Sequence, residues 1–125
     1  MRYLYDTNIF IYYLADELTV SSLFTEKFLH LHEVLISPII RMELLSFAGL
    51  SADEQRAIED LLSQFKSVPL LRDIEDKTIK LKRLYKIKLP DAIIAATAIH
   101  QDAVLVTRNI NDFQGITGLN IENPF

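Results

Sequence analysis

Apolar positions along the chain fall into two patterns that predict alternating strands and helices. Short continuous apolar runs favour strands buried on both faces, whereas apolar residues at helical spacing favour amphipathic helices. The runs predict extended segments at 2–5, 34–36, around 68, 103–107 and 119–121. The helically spaced positions predict helices at 7–15, 25–32, 38–47, 52–65, 73–85 and 91–101.

Several helix starts are marked by residues that cap the free backbone N–H groups. Ser37, followed by a proline, is a helix start, and Ser51 with Glu54 three positions on forms a capping-box pattern. Asp73 is predicted to cap the fifth helix. Leu89 precedes a proline, so we expect it to be extended, with the next helix starting after it.

Strands separated by helices indicate an α/β protein with a central sheet. We predict one domain, residues 1–125, with a three-layer α/β/α architecture and a mostly parallel sheet of about 4–5 strands. Ligands in such folds bind beyond the carboxyl ends of the strands. Residues that directly follow strands are therefore the first candidates for function.

Composition removes several classes of function. The chain contains no cysteine, which excludes disulfides, zinc–thiolate sites and cysteine nucleophiles and is typical of a cytoplasmic protein. Its apolar stretches are far shorter than the roughly 18 residues of a membrane-spanning helix. A strand pattern begins almost at once, which leaves no room for a signal peptide. We therefore expect no membrane association.

Charge is unevenly distributed. The formal net charge of −4 argues against bulk electrostatic binding of nucleic acid. However, the segment 77–88 carries six of the 13 basic residues and no acid. This segment is predicted to be largely the solvated face of a helix, with a locally positive field.

Four acidic residues occupy positions unusual for a globular domain: Asp6, Glu43, Asp91 and Asp112. Asp6, Asp91 and Asp112 each have an alternative role as a helix cap or turn residue. Glu43 is predicted to fall on the apolar face of its helix and to lose hydration there. Its alternatives are an ion pair with Arg41 or Arg108, or a position at the exposed edge of the apolar stripe.

Carboxylates brought close together repel one another unless a cation offsets their charge. Oxygen ligands without histidine or cysteine select Mg²⁺ or Mn²⁺ over zinc. Such ions polarise phosphate and acidify water, which is the chemistry of phosphodiester hydrolysis. Asn8, Thr107 and Asn109 lie next to these acids in sequence and are predicted to support the site through hydrogen bonds.

The same residues resemble the PIN-domain ribonucleases, in particular the VapC-type toxins of toxin–antitoxin pairs. The matching segments occur in the family order and span nearly the whole chain: Asp6-Thr7-Asn8, Glu43-Leu44-Leu45, Leu89-Pro90-Asp91-Ala92, Val106 to Phe113 and Asn123-Pro124-Phe125. The resemblance implies a PIN-like fold, an Mg²⁺-dependent endoribonuclease with Mn²⁺ as a substitute, and inhibition by a cognate antitoxin. It also implies a homodimer and a toxin–antitoxin hetero-oligomer.

Asp6, Glu43 and Asp91 match the family acids directly, and we assign the fourth position to Asp112, with Asn109 in support. If neither completes the site, a one-metal mechanism is favoured. Lys86, Lys88 and Arg108 are predicted to contact the RNA backbone without base specificity. Two other readings stay open: a catalytically inactive PIN-like module that binds RNA or protein, and a different Mg²⁺ enzyme on a doubly wound sheet.

Overall fold

The computed structural model describes residues 1–125, which form five β-strands and eight α-helices. The strands are β1 (Arg2–Tyr5), β2 (Glu33–Ile36), β3 (Lys66–Ser67), β4 (Val104–Val106) and β5 (Ile121–Glu122). The helices are α1 (Thr7–Leu14), α2 (Leu18–Ser21), α3 (Glu26–Leu31), α4 (Pro38–Leu45), α5 (Ala52–Leu62), α6 (Arg72–Leu84), α7 (Leu89–His100) and α8 (Ile110–Phe113). A 3₁₀ turn, Ser22–Phe24, lies between α2 and α3.

All five strands are parallel and lie in the order β3-β2-β1-β4-β5. This confirms the predicted α/β class and parallel sheet. The chain adds β2 and β3 on one side of β1, then returns and adds β4 and β5 on the other. The strand order therefore reverses between β1 and β4, and a crevice opens at the carboxyl ends of these two strands.

The sheet is covered on both faces. Leu4 and Tyr5 are adjacent in β1 and both are 0% exposed, and Leu105 and Val106 in β4 are also buried. Since successive side chains of a strand point to opposite faces, burial of both requires packing on both sides. Each such side chain contributes about 1.5–3 kcal/mol to folding. This rigid frame determines the positions of the residues that follow β1 and β4.

Helix α7 packs closely on the rest of the domain because four of its residues are fully buried alanines: Ala92, Ala95, Ala96 and Ala98. The helix starts at Leu89, with Lys88 as N-cap, so the prediction that Leu89 is extended is wrong. Proline costs little in the first helical turn, because the N–H groups there have no helical partner. The helix start therefore includes Pro90.

Other predicted boundaries also shift. Helix α6 begins at Arg72, so the prediction that Asp73 caps it is wrong; Asp73 lies in the first turn. The third strand falls at Lys66–Ser67 rather than at Val68, although the Val68 N–H still donates to the Ile36 carbonyl at 2.9 Å. Sheet pairing rather than apolarity determines where this short strand lies.

The predicted ends of two helices also differ, since α4 ends at Leu45 rather than at 47 and α5 ends at Leu62 rather than at 65. The other differences involve very short elements. Helices α2 and α8 have four residues each, too few to show a helical period, and the sequence did not predict them. Strand β5 lies at Ile121–Glu122 rather than at 119–121. No helix of the structure has both the length and the apolarity needed to cross a membrane.

Candidate active site

The crevice between β1 and β4 is where the first acidic residue lies. Tyr5 pairs with Val106 across the two strands, so the next residues, Asp6 and Thr107, are also neighbours. The Thr107 hydroxyl donates to Asp6 Oδ2 at 2.8 Å. Asp6 is also the N-cap of α1, because its Oδ1 accepts the Thr7 N–H at 2.8 Å. Asp6 can therefore be both the cap of α1 and a residue of the site.

Thr107 is the centre of a hydrogen-bond network around Asp6. It is 0% exposed, and its hydroxyl oxygen accepts from Asn8 Nδ2 at 3.2 Å and from the Asn109 N–H at 3.0 Å. Asn8 Nδ2 also donates to Asp6 Oδ2 at 3.3 Å. Asn8 and Thr107 thus contact the acid through side chains, whereas Asn109 acts here through its backbone.

Burial has the largest effect on the pKa of Asp6, whose residue surface is 5% exposed. Loss of hydration raises the pKa of this carboxyl, and the hydrogen bonds from Thr107 and Thr7 oppose the rise. The negative charges of Glu43 and Asp112 add to the increase. The side chain is therefore an acid whose negative charge is costly in the absence of a cation.

Glu43 lies beside this acid but is exposed, so the prediction that it loses hydration is wrong. Its Oε1 accepts the Thr7 hydroxyl at 2.6 Å. The alternative ion pair with Arg41 does not form, since Arg41 pairs with Glu59. Sequence reasoning missed Thr7 as a supporting residue, although its place directly after Asp6 was a usable signal.

Some of the apolar neighbours of Glu43 line a surface cavity, whereas others belong to the core. Ile40 and Leu44 are the residues of α4 that are buried. Ile39 and Phe47, one turn before and after Glu43, line a cavity of about 500 Å³ together with Thr7. The spacing correctly grouped these residues on one stripe, but this stripe borders solvent.

Asp91 lies in the first turn of α7 and is half-buried. Burial raises its pKa to about 6, and the charges of Asp6, Asp112 and Glu43 contribute to the rise, while Lys88 opposes it. All four predicted acids therefore lie within electrostatic range of one another. The fold thus brings together residues that are far apart in the sequence.

Asp112 is exposed and lies in α8. Its charge raises the pKa of both Asp6 and Asp91, so it belongs to the same cluster. Asp112 and Asn109 line one cavity of about 340 Å³. The Asn109 side chain forms no hydrogen bond with any of the acids, and the choice of Asp112 as the fourth acid stays a prediction.

The donor set fits a hard divalent cation. Its members are carboxylate and hydroxyl oxygens, the ligands that Mg²⁺ and Mn²⁺ prefer. None of the four acids takes part in an ion pair within the chain. No three of the side chains already converge on a point that would hold an ion. Ligation by three or more of them therefore requires rotation of the exposed carboxylates toward Asp6.

The three basic residues that are predicted to contact RNA differ in their relation to the acidic cluster. Lys88 lies close enough to Asp91 to lower its pKa. The Arg108 N–H donates to Asn8 Oδ1 at 3.3 Å, which places this residue at the edge of the cluster. Lys86 is exposed and forms no ion pair with the acids. Binding of RNA by these three residues stays a prediction.

The fold and the site together define a class: an α/β protein with a doubly wound parallel sheet and a carboxylate cluster at its topological switch point. The model of the family described as PIN domain matches residues 3–118. The chain therefore belongs to the PIN-domain family.

Three similar proteins each match most of this chain. Ribonuclease VapC19 of Mycobacterium tuberculosis is 34% identical over 115 residues, covering 88% of this chain and 90% of the relative. A chain of a toxin–antitoxin complex from Klebsiella pneumoniae superposes with a TM-score of 0.82 at 33% identity, covering 98% of each chain. VapBC-1 of nontypeable Haemophilus influenzae gives 0.79 at 29% identity, covering 99% of this chain and 98% of its own.

The raised pKa of Asp91 predicts how pH and metal act on stability. The stability contributed by protonated Asp91 is fully present below about pH 4 and is lost as the pH rises through about 6. Deprotonation leaves carboxylates that repel one another, and a bound Mg²⁺ would relieve that repulsion. We therefore expect millimolar Mg²⁺ to raise the melting temperature more at about pH 7.5 than at about pH 5.

Asp91→Asn is the matched control for this measurement. Without metal at neutral pH, it should stabilise the protein by on the order of 1 kcal/mol, once solvent screening of this half-exposed group is allowed for. It should also reduce the pH dependence of the Mg²⁺ effect. An equal or larger Mg²⁺ effect at the lower pH would contradict the assignment.

Proposed function

We propose that the protein is a VapC-type endoribonuclease toxin that requires Mg²⁺, with Mn²⁺ as a substitute, and cleaves RNA phosphodiester bonds by hydrolysis. The supporting observation is a cluster of acids that form no ion pair within the chain. Burial raises the pKa of Asp6 and of Asp91, and the negative charges of Glu43 and Asp112 add to both increases. A cluster of this kind costs folding free energy unless a cation binds to it. The PIN-domain match and the similarity to Ribonuclease VapC19 support nuclease chemistry.

In this proposal Asp6, Glu43, Asp91 and Asp112 hold the metal. The bound ion supplies Lewis-acid polarisation of the phosphate and lowers the pKa of the attacking water. The hydroxyl of Thr107 fixes one oxygen of Asp6, and the hydroxyl of Thr7 fixes one oxygen of Glu43. Both bonds orient carboxylates that would otherwise rotate, which is how groups behind a metal ligand tune it.

A cognate antitoxin is the proposed partner, in a hetero-oligomer built on a homodimer of this chain. The support comes from the similar structures, which are described as a toxin–antitoxin complex and as VapBC-1. The surface also offers apolar area next to the site. Ile11 and Phe47 both line a groove of about 360 Å³ and the larger cavity beside Glu43. A partner seated there would cover exposed apolar side chains.

Metal dependence gives the direct test. We expect the purified protein to cleave total bacterial RNA in the presence of Mg²⁺ or Mn²⁺ and to stop when EDTA is added, with activity restored by excess Mg²⁺. Sequencing of newly formed RNA ends would map the cleaved bonds. The protein must first be freed of any co-purifying antitoxin.

The outcome separates the proposed enzyme from an inactive binding module. Cleavage that persists in EDTA would contradict the metal role. RNA or protein binding without cleavage in any of these metals would instead favour the module. Ca²⁺ is a useful matched control, because it also prefers oxygen ligands but demands different geometry.

A further inference from the structure

Arg108 lies at the edge of the acidic cluster, yet its charge is not neutralised there. Its guanidinium takes part in none of the ion pairs of the chain. Its polar contact with the site is made by the backbone, whose N–H donates to Asn8 Oδ1. An arginine among acids ordinarily pairs with a carboxylate. Another interaction must therefore determine where the Arg108 side chain lies.

Two aromatic rings provide that interaction. Arg108 Cζ lies 4.1 Å from the ring centroid of Phe125 and 5.1 Å from that of Tyr12. The two rings contact each other, with centroids 4.9 Å apart. A guanidinium over an aromatic face is stabilised without losing its charge. Its N–H donors therefore remain available to an external anion.

Arg108 and the candidate metal ligand Asp112 share one cavity. Both residues line the space of about 340 Å³ at the carboxyl end of β4. A phosphate of an RNA chain that enters this cavity would meet the guanidinium of Arg108 beside Asp112. The fork of N–H donors on arginine matches the oxygens of a phosphate better than a lysine ammonium does.

We propose that Tyr12 and Phe125 position Arg108 as a clamp for a backbone phosphate of the RNA substrate. Phe125 is then a positioning residue for substrate binding, although it lies outside every acidic motif. The rings restrict the rotamers of a long side chain, so less entropy is lost when it binds. This inference rests on the proposed ribonuclease function.

The test measures RNA binding in an Asp6→Asn background, which prevents turnover. The probe is a short fluorescein-labelled single-stranded RNA of mixed sequence, followed by anisotropy over a range of salt concentrations. Arg108→Ala should raise Kd about tenfold at low salt and flatten the log–log salt slope by about 0.7, the value for one phosphate contact on a single strand. Phe125→Leu should raise Kd about threefold, and Phe125→Trp should restore binding.

A double-mutant cycle distinguishes positioning from a general structural role. If Phe125 acts through Arg108, Phe125→Leu should have no further effect on Kd once Arg108 is alanine. In the active protein, Phe125→Leu should raise KM and leave kcat unchanged. Arg56→Ala is the control for loss of charge, since Arg56 pairs with Asp53 on α5, and it should leave Kd and the salt slope unchanged.

Several outcomes would overturn the clamp. One is an equal effect of Phe125→Leu with and without Arg108, and another is a fall in kcat without a rise in KM. If Phe125→Leu does not fold, as judged by its melting curve, Tyr12→Leu gives the same cycle through the second ring. If Phe125→Leu and Arg108→Ala act independently on Kd while the wild type cleaves RNA, the clamp is overturned and the proposed function stands. If Phe125 and Arg108 are coupled in RNA binding but the wild type does not cleave RNA, the proposed function is overturned and the clamp stands.

Discussion

Replacing Asp6 by asparagine is expected to lower the rate of RNA cleavage by at least about a thousandfold. Asp6 is the most buried of the four acids and lies where β1 meets β4. The amide carries no negative charge, so the site loses several kcal/mol of stabilisation of the metal and of the transition state, at about 1.4 kcal/mol per tenfold. Single-turnover cleavage of RNA with saturating Mg²⁺ measures this loss.

The substitution should leave the fold intact. The asparagine oxygen can still accept the Thr7 N–H, whereas its amide nitrogen replaces the oxygen that accepts from Thr107 and Asn8. Removal of a buried carboxylate whose pKa is raised offsets the loss of these hydrogen bonds. The matched control is Asp102→Asn, because Asp102 precedes β4 and so lies at the opposite edge of the sheet. Asparagine also tolerates its positive φ of 51°. Near-wild-type cleavage by Asp6→Asn would refute the metal assignment.

Replacing Thr107 by valine is expected to cost about 2–4 kcal/mol of stability and to reduce cleavage about 10–100-fold. Valine has nearly the same shape, so the effect isolates the hydroxyl. Its loss removes a donor to the Asp6 carboxylate and leaves Asn8 and the Asn109 N–H without their shared acceptor. Urea unfolding gives the first quantity, and Mg²⁺-dependent cleavage gives the second.

Thr78→Val is the matched control for Thr107. Thr78 is also buried, but its hydroxyl donates to the Ile74 carbonyl within its own helix, and that carbonyl keeps its helical partner. We expect a change below about 1 kcal/mol there and unchanged cleavage. Thr107→Ser retains the hydroxyl and should recover part of both losses. Equal effects of the two valine substitutions would show that packing, not the network, explains the result.

Local sequence signals predicted those features that depend on neighbouring residues. The capping box at Ser51 is present, with both of its hydrogen bonds to Glu54 at 3.0 Å. The strand after which Asp6 lies and the helix that begins near Asp91 were also predicted from runs and spacing. These features need no knowledge of how distant segments pack, so the pattern of apolar residues was sufficient.

The features of the site that were missed depend on distant contacts. Periodicity placed Glu43 among apolar residues, but it could not tell whether that stripe faces the core or a cavity. The bond from Thr7 to Glu43 joins residues 36 positions apart. The rings over Arg108 come from residues near opposite ends of the sequence. Such pairs are determined by the order of strands in the sheet, which no local pattern encodes.

The pairing of β1 with β4 has a consequence for when the acidic site can assemble during synthesis. Asp6 leaves the ribosome before its hydrogen-bond partner Thr107, which follows 101 residues later. The central strand β1 therefore waits for the synthesis of this intervening segment before the second of its two neighbours exists. A nascent or prematurely terminated chain that lacks β4 has no assembled acidic site.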